Sequence, residues 1–183
     1  MHTTYTQVCQ WHEGRGLLYR TGIVEQLVGH TYVDWAGNTG DRRFTSEFAF
    51  SLGSTAIAWS SKKQPIVALS STEAEYQGAV VATCEAIWLK RLLKDLQVEV
   101  FDPTTIYCDN LNSLQLAKNP FFHTRTKHIE VHYHFVHERV LSGEVELTYV
   151  PTDRQNTDIF TKPLGLNKLR QFSIALGLRD LDV

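Results

Sequence analysis

The run Ser70-Ser71-Thr72-Glu73-Ala74-Glu75-Tyr76-Gln77-Gly78-Ala79 carries the strongest helix signal in the chain. A hydroxyl residue followed three positions later by a glutamate fits a capping box, whose two side chains satisfy backbone groups that a helix start leaves open. Helix-compatible residues continue to about Leu96. Glu75, Gly78, Ala79, Ala82 and Ala86 recur at helical spacing and share one face. Small residues on that face let the helix lie close against a sheet, and Glu75 places an acid there near the start.

Working outward, Leu27 to Asp34 reads as a strand, followed by the turn residues Gly37, Asn38 and Gly40. Phe44 to Leu52 and Thr55 to Ser60 are apolar, β-rich segments separated by Gly53-Ser54, which reads as a hairpin. Beyond the long helix, Thr105 to Cys108 is a short strand ending at Asp109-Asn110, and a short helix runs from there to about Lys118. Residues 126–141 read as a histidine-rich helix, Val145 to Val150 as a strand, Gln155 to Lys162 as a short helix broken by Pro163, and Asn167 to Ala175 as a last helix. Strands that adjoin one another and then alternate with helices predict an α/β fold, a mixed sheet covered by helices. Residues 1–24 show weak periodicity and read as an irregular lead-in to a domain at 25–183.

Length and composition bound the function. The 183 residues suffice for one domain with a substantial core. Hydrophobic residues make up 43% and charged residues 21%, the balance of a soluble globular protein. No apolar run approaches the ~20 residues of a membrane span, and the N-terminus lacks the basic-then-apolar pattern of a secretory signal. Three widely spaced cysteines (Cys9, Cys84, Cys108) fit reduced thiols, hence a cytoplasmic or nuclear protein that is not secreted. A net charge of −2 argues mildly against a nucleic-acid binder, leaving local charge at 123–139 to decide.

Four carboxylates stand where a sheet could gather them. Asp34 ends the first strand, Glu75 lies one turn into the long helix, Asp109 ends the fourth strand, and Asp158 opens the short helix after the fifth. Like charges do not crowd without a counter-ion. A pair of Mg²⁺ or Mn²⁺ ions would supply one, activating a water and stabilising the leaving oxygen of a phosphodiester. Taken singly, each acid also reads as an ordinary turn or helix-start residue, and spacing alone leaves both readings open.

A wider set of motifs resembles the ribonuclease H region of copia-type retrotransposon polyproteins: Asp41 to Ser46, Trp59 to Gln64, Val67 to Tyr76, Tyr107 to Asn110, Asn119-Pro120, His123 to Glu130, Tyr133 to Phe135 and Asp158 to Leu164. The resemblance runs from about Gly16 to Gly177. It implies the ribonuclease H-like fold, a five-stranded mixed sheet flanked by helices, and cleavage of the RNA strand of RNA–DNA hybrids during reverse transcription. It puts Glu75, Asp109 and Asp158 at the second, third and fourth acidic positions of a two-metal site holding Mg²⁺ or Mn²⁺. It implies hybrid-phosphate contacts from Arg125, Lys127 and His128, which give affinity without sequence readout. Asn110 is a candidate for a backbone or 2′-hydroxyl contact. A reverse transcriptase polymerase domain is the implied partner, and the chain reads as a free-standing fragment or host-retained copy of such an element.

The first acidic position departs from the family. Counted back without a gap from Trp35, the catalytic aspartate's place holds Tyr32, and Asp34 matches a second, non-catalytic aspartate. A two-residue gap would restore Asp34 as the catalytic and metal-binding residue. The two positions share a strand face but lie about 6.6 Å apart along it, more than a metal site built on ~2.1 Å bonds absorbs. Glu47 stands where the family usually has glycine, and His132 and His137 where it usually has positive charge. A zinc reading of His123, His128, His132, His134 and His137 lacks a cysteine and a third ligand at convincing spacing.

Overall fold

A computed structural model describes residues 6–12, 14–20, 26–35, 43–101, 103–118 and 127–180, with residues 6–12, 116 and 127–133 described by backbone alone. The described residues form two sheets. The larger has five strands in the order β5-β4-β3-β6-β7, formed by β3 (Leu27–Asp34), β4 (Thr45–Leu52), β5 (Thr55–Lys63), β6 (Thr104–Cys108) and β7 (Val145–Tyr149). β3, β4 and β5 pair antiparallel, and β3, β6 and β7 pair parallel, so the sheet is mixed as the sequence predicts. The helices are α1 (Ser71–Asp95), α2 (Leu111–Lys118), α3 (Lys127–Leu141) and α4 (Leu166–Ala175).

Local chemistry sets these boundaries. The Ser70 hydroxyl accepts a hydrogen bond from the Glu73 N–H at 3.1 Å. Glu73 reaches back past the cap, to the Leu69 N–H at 2.8 Å. The capping box therefore closes one residue earlier than its usual form. Asn110 caps α2 in the same manner, its side-chain oxygen accepting from the Ser113 N–H at 3.1 Å. The short helix expected over Gln155 to Lys162 is instead a 3-10 helix over Asn156–Phe160, preceded by a 3-10 turn at Thr152–Arg154.

Burial alternates strictly along β3. Leu27, Gly29, Thr31 and Val33 are buried, and Val28, His30, Tyr32 and Asp34 are half-exposed. The first set faces α1, whose Gly78 approaches so near that an added Cβ would lie 2.5 Å from Val33 Cγ2. Tyr76, Ala79, Ala82, Ala86, Leu89 and Leu93 of α1 join Leu27, Phe48, Phe50, Ile106, Val145 and Leu147 of the sheet in the main core. The small residues on this helix face are thus what allows Glu75, one turn from the helix start, to reach the sheet end.

Residues 6–20 correct the expectation of an irregular lead-in. β1 (Thr6–His12) and β2 (Arg15–Arg20) form a hairpin, and β2 pairs antiparallel with β8 (Leu178–Asp180), making a three-stranded sheet. Hydrogen bonds from the Leu18 N–H to the Gly177 carbonyl (3.0 Å) and from the Tyr19 hydroxyl to the Ala56 carbonyl (2.8 Å) tie it to α4 and β5. The pairing partner lies at the far end of the chain, so no local period announces it.

Gly78→Ala should lower stability by about 1–3 kcal/mol despite alanine's better helix propensity, because the methyl overpacks against a stiff, buried valine. Urea unfolding measures this, and an equal or higher midpoint would contradict the close approach.

Candidate active site

The β3–β6 ladder runs from Val28 opposite Thr105 to Thr31 opposite Cys108. The next residues outward are Tyr32 and Asp109, and Asp34 lies two residues further along β3. Tyr32, not Asp34, is therefore level with the acid that ends β6. Glu75 reaches the same place from α1: its carboxylate oxygen, the Cys108 sulfur and an Asp109 oxygen lie within 4.8 Å of one another. Among the described residues this is the group close enough to share a cation, and neither Asp34 nor Asp158 is in it.

Asp158 is buried and engaged by Lys162, whose Nζ lies 2.7 Å from Asp158 Oδ1. The pair sits one helical turn apart, and the Lys162 N–H also bonds the Asp158 carbonyl at 3.0 Å. The same ammonium lies 4.0 Å from the centroid of the Tyr32 ring, within cation–π range. One cation thus joins the first and fourth of the sequence's candidate positions, Tyr32 on β3 and Asp158 after β7.

The electrostatics follow from burial and crowding. Burial, then the charge of Asp109, push the Glu75 carboxyl up to about 8, against the pull of Lys162. Its Oε2 is buried without a hydrogen-bond partner. Burial also raises Asp109, while a 2.9 Å hydrogen bond from the Thr152 hydroxyl and the charge of Lys162 hold it down. Burial, then Glu75, push the Cys108 thiol up to about 12. Burial raises the Tyr32 phenol. Burial works against the Lys162 charge, but Asp158 and Tyr32 more than offset it, and its pKa is raised.

Two of the positions where the resemblance implies a departure, Tyr32 and Glu47, are neighbours. Tyr32 stands opposite Glu47 in the β3–β4 ladder. Glu47 is buried, accepts a 3.0 Å hydrogen bond from the Ser61 hydroxyl, and is pushed by burial up to about 7. Beneath them Gln155 is fully buried, donating to the Thr31 carbonyl at 2.8 Å and accepting from His30 Nδ1 at 3.1 Å. Sequence reasoning gave no role to Lys162, Thr152 or Gln155. Lys162 had a signal, since it belongs to the Asp158–Leu164 motif and lies four residues after an acid.

A pair of divalent cations needs more than this donor set offers. Mg²⁺ takes oxygen ligands in near-ideal octahedral geometry. Here Glu75 and Asp109 are joined by a buried thiol, the Asp158 oxygen is held by an ammonium, and the place between them holds a neutral phenol. The residues present do not fit two such ions.

Of the expected nucleic-acid contacts, Asn110 caps α2 beside Asp109. Arg125 lies outside the described residues, and Lys127 and His128 open α3 with their side chains undescribed. In the histidine cluster His123 lies outside the described residues and the side chains of His128 and His132 are undescribed, while His137 Nδ1 donates to the Ala117 carbonyl at 2.8 Å. No helix among the described residues is long and apolar enough to cross a membrane.

No protein-family model matches the chain. Over 163 residues it is 39% identical to the retrovirus-related Pol polyprotein from transposon RE2 of Arabidopsis thaliana, a match that takes in 89% of the chain and 11% of the relative's length. Among solved structures it is similar to the N-terminal ribonuclease H domain of Rv2228c from Mycobacterium tuberculosis, with a TM-score of 0.54 and 14% identity over 81% of this chain and 96% of that one. LC11 ribonuclease H1, solved in complex with an RNA/DNA hybrid, gives 0.52 and 10% over 71% and 88%. At these identities the likeness to the solved structures is one of fold, and the fold is that of ribonuclease H.

Glu47 supplies a pH test. A carboxyl whose folded pKa is raised costs stability as it ionises, so its effect is absent below 4.5 and grows as pH rises to about 7. Stability should fall across that window, and Glu47→Gln should flatten the fall. Chemical denaturation at a series of pH values tests it, and parallel native and variant curves would contradict the burial of this carboxyl.

Proposed function

Because the chain belongs to the Pol family of copia-type retrotransposons and has the ribonuclease H fold, we propose that it binds RNA–DNA hybrids through that fold and has lost most of its capacity to cut them. The observation that carries this reading is Tyr32, level with Asp109 and covered by the Lys162 ammonium, at the place the ungapped resemblance gives to the first acid. Glu75, Asp109 and Asp158 keep the other acidic positions. In an intact site the divalent pair supplies an activated water and stabilises the leaving oxygen. Without a carboxylate at position 32 to help hold it, the pair is not part of this reading.

Hybrid binding is supported by the fold, by the hybrid bound to the similarly folded LC11 ribonuclease H1, and by the residues that the resemblance gives to phosphates. Arg125, Lys127 and His128 would track the backbone, and Asn110, fixed by its capping bond at the edge of the site, would meet a sugar or phosphate oxygen. The relatives are long polyproteins, which supports a reverse transcriptase polymerase domain as the natural partner.

A second reading has one observation behind it. Asp34 shares the half-exposed face of β3 with Tyr32, so a strand slide by one pair would bring it level with Asp109 and rebuild a metal-dependent endonuclease on Asp34, Glu75, Asp109 and Asp158 with Mg²⁺ or Mn²⁺.

Cleavage of an end-labelled RNA–DNA hybrid in Mg²⁺ and in Mn²⁺ separates the two. The native chain should be nearly silent, and Tyr32→Asp should raise cutting on the order of a hundredfold, the usual worth of one preorganised electrostatic group. Adding Asp109→Asn to Tyr32→Asp should abolish the gain. A native chain that cuts, and stops when Asp34→Asn is introduced, would overturn the proposal in favour of the shifted site.

A further inference from the structure

We propose that Lys162 takes over the electrostatic work of the divalent ions, so that the acidic end of the sheet holds the phosphodiester backbone of an RNA–DNA hybrid without metal. The inference rests on the hybrid-binding reading above and assigns its central contact.

Position is the first argument. The Lys162 ammonium touches the buried Asp158 carboxylate at 2.7 Å and the Tyr32 ring at 4.0 Å. It is also near enough to Glu75 and Asp109 that its charge draws both carboxyls downward. A single positive charge thus reaches Glu75, Asp109 and Asp158, the three acids that remain at the family's positions. Its backbone is held as well, through the Lys162 N–H to Asp158 carbonyl bond, with Pro163 next in the chain.

Access is the second. The Lys162 side chain is 32% exposed, whereas Asp158 is 4% exposed. The ammonium therefore has one side turned inward to its carboxylate and another toward solvent. It carries three N–H donors. Asp158 takes one, the phenol and its ring occupy a second direction, and a donor remains for a phosphate oxygen.

Charge is the third. With aspartate at position 32 this surface would carry one more negative charge, and a phosphate could approach only behind divalent cations. Tyr32 removes that charge and offers its ring face to the ammonium. Tyr32 at this place thus leaves one fewer negative charge for a phosphodiester to meet beside the exposed side of the ammonium.

Fluorescence anisotropy of a labelled hybrid with the full chain, at one ionic strength, tests this in EDTA, Mg²⁺ and Mn²⁺. Native affinity should stay within about twofold between EDTA and Mg²⁺, whereas Lys162→Met should weaken it about tenfold and lower the salt slope by about 1. Lys162→Arg should bind nearly as the native chain does. Tyr32→Asp should bind poorly in EDTA and recover with Mn²⁺. Native binding that requires Mg²⁺, or Lys162→Met binding as tightly as native in EDTA, would overturn the role of Lys162 while leaving hybrid binding intact. A native chain that binds hybrid under no condition would end both. Circular dichroism melts check that each variant folds; should Lys162→Met not fold, the native EDTA comparison and the Tyr32→Asp arm decide.

Discussion

Carboxylates gathered at strand ends need a positive charge among them, and that constraint governs the working end of this molecule. The parallel β3–β6 pairing and the close approach of α1 bring Asp109 and Glu75 to within 4.8 Å, and the turn after β7 adds Asp158. Nothing in that backbone arrangement is negotiable, because Gly78 already lies against Val33 and the main core locks α1 to the sheet. The charge is therefore balanced by side chains: Lys162 pairs with Asp158, Thr152 bonds Asp109, and Glu75 holds its proton more tightly.

Tyr32 and Glu47 are cross-strand neighbours. A bulky neutral ring and a buried carboxyl stand opposite each other at the acidic end of a ribonuclease H scaffold. Fold and chemistry separate here, as they do wherever a site is grafted on a widely used scaffold.

Much of the fold was legible because its signals are local. The Ser70–Glu73 cap and the small-residue face of α1 can each be read within a dozen residues. The β2–β8 pairing that completes the smaller sheet was not, because it joins residues more than 150 positions apart, such as Arg15 and Asp180. At the site, the acids could be named from their places at element ends, yet their partners could not. Whether Tyr32 or Asp34 stands beside Asp109 is a matter of ladder register, which no count along one strand settles. Lys162 belongs to the Asp158–Leu164 motif, but its place over Tyr32 depends on how the chain after β7 folds back across the sheet.

The central claim is that an ammonium, and not a metal pair, balances this site. Crystals grown with millimolar Mn²⁺ and measured for anomalous scattering test it most directly. The account predicts no manganese peak between Glu75 and Asp109, with Lys162 Nζ still within about 6 Å of the Tyr32 ring centroid, the range of a cation–π contact. Two manganese peaks bridged by Asp34, with Lys162 displaced, would contradict it.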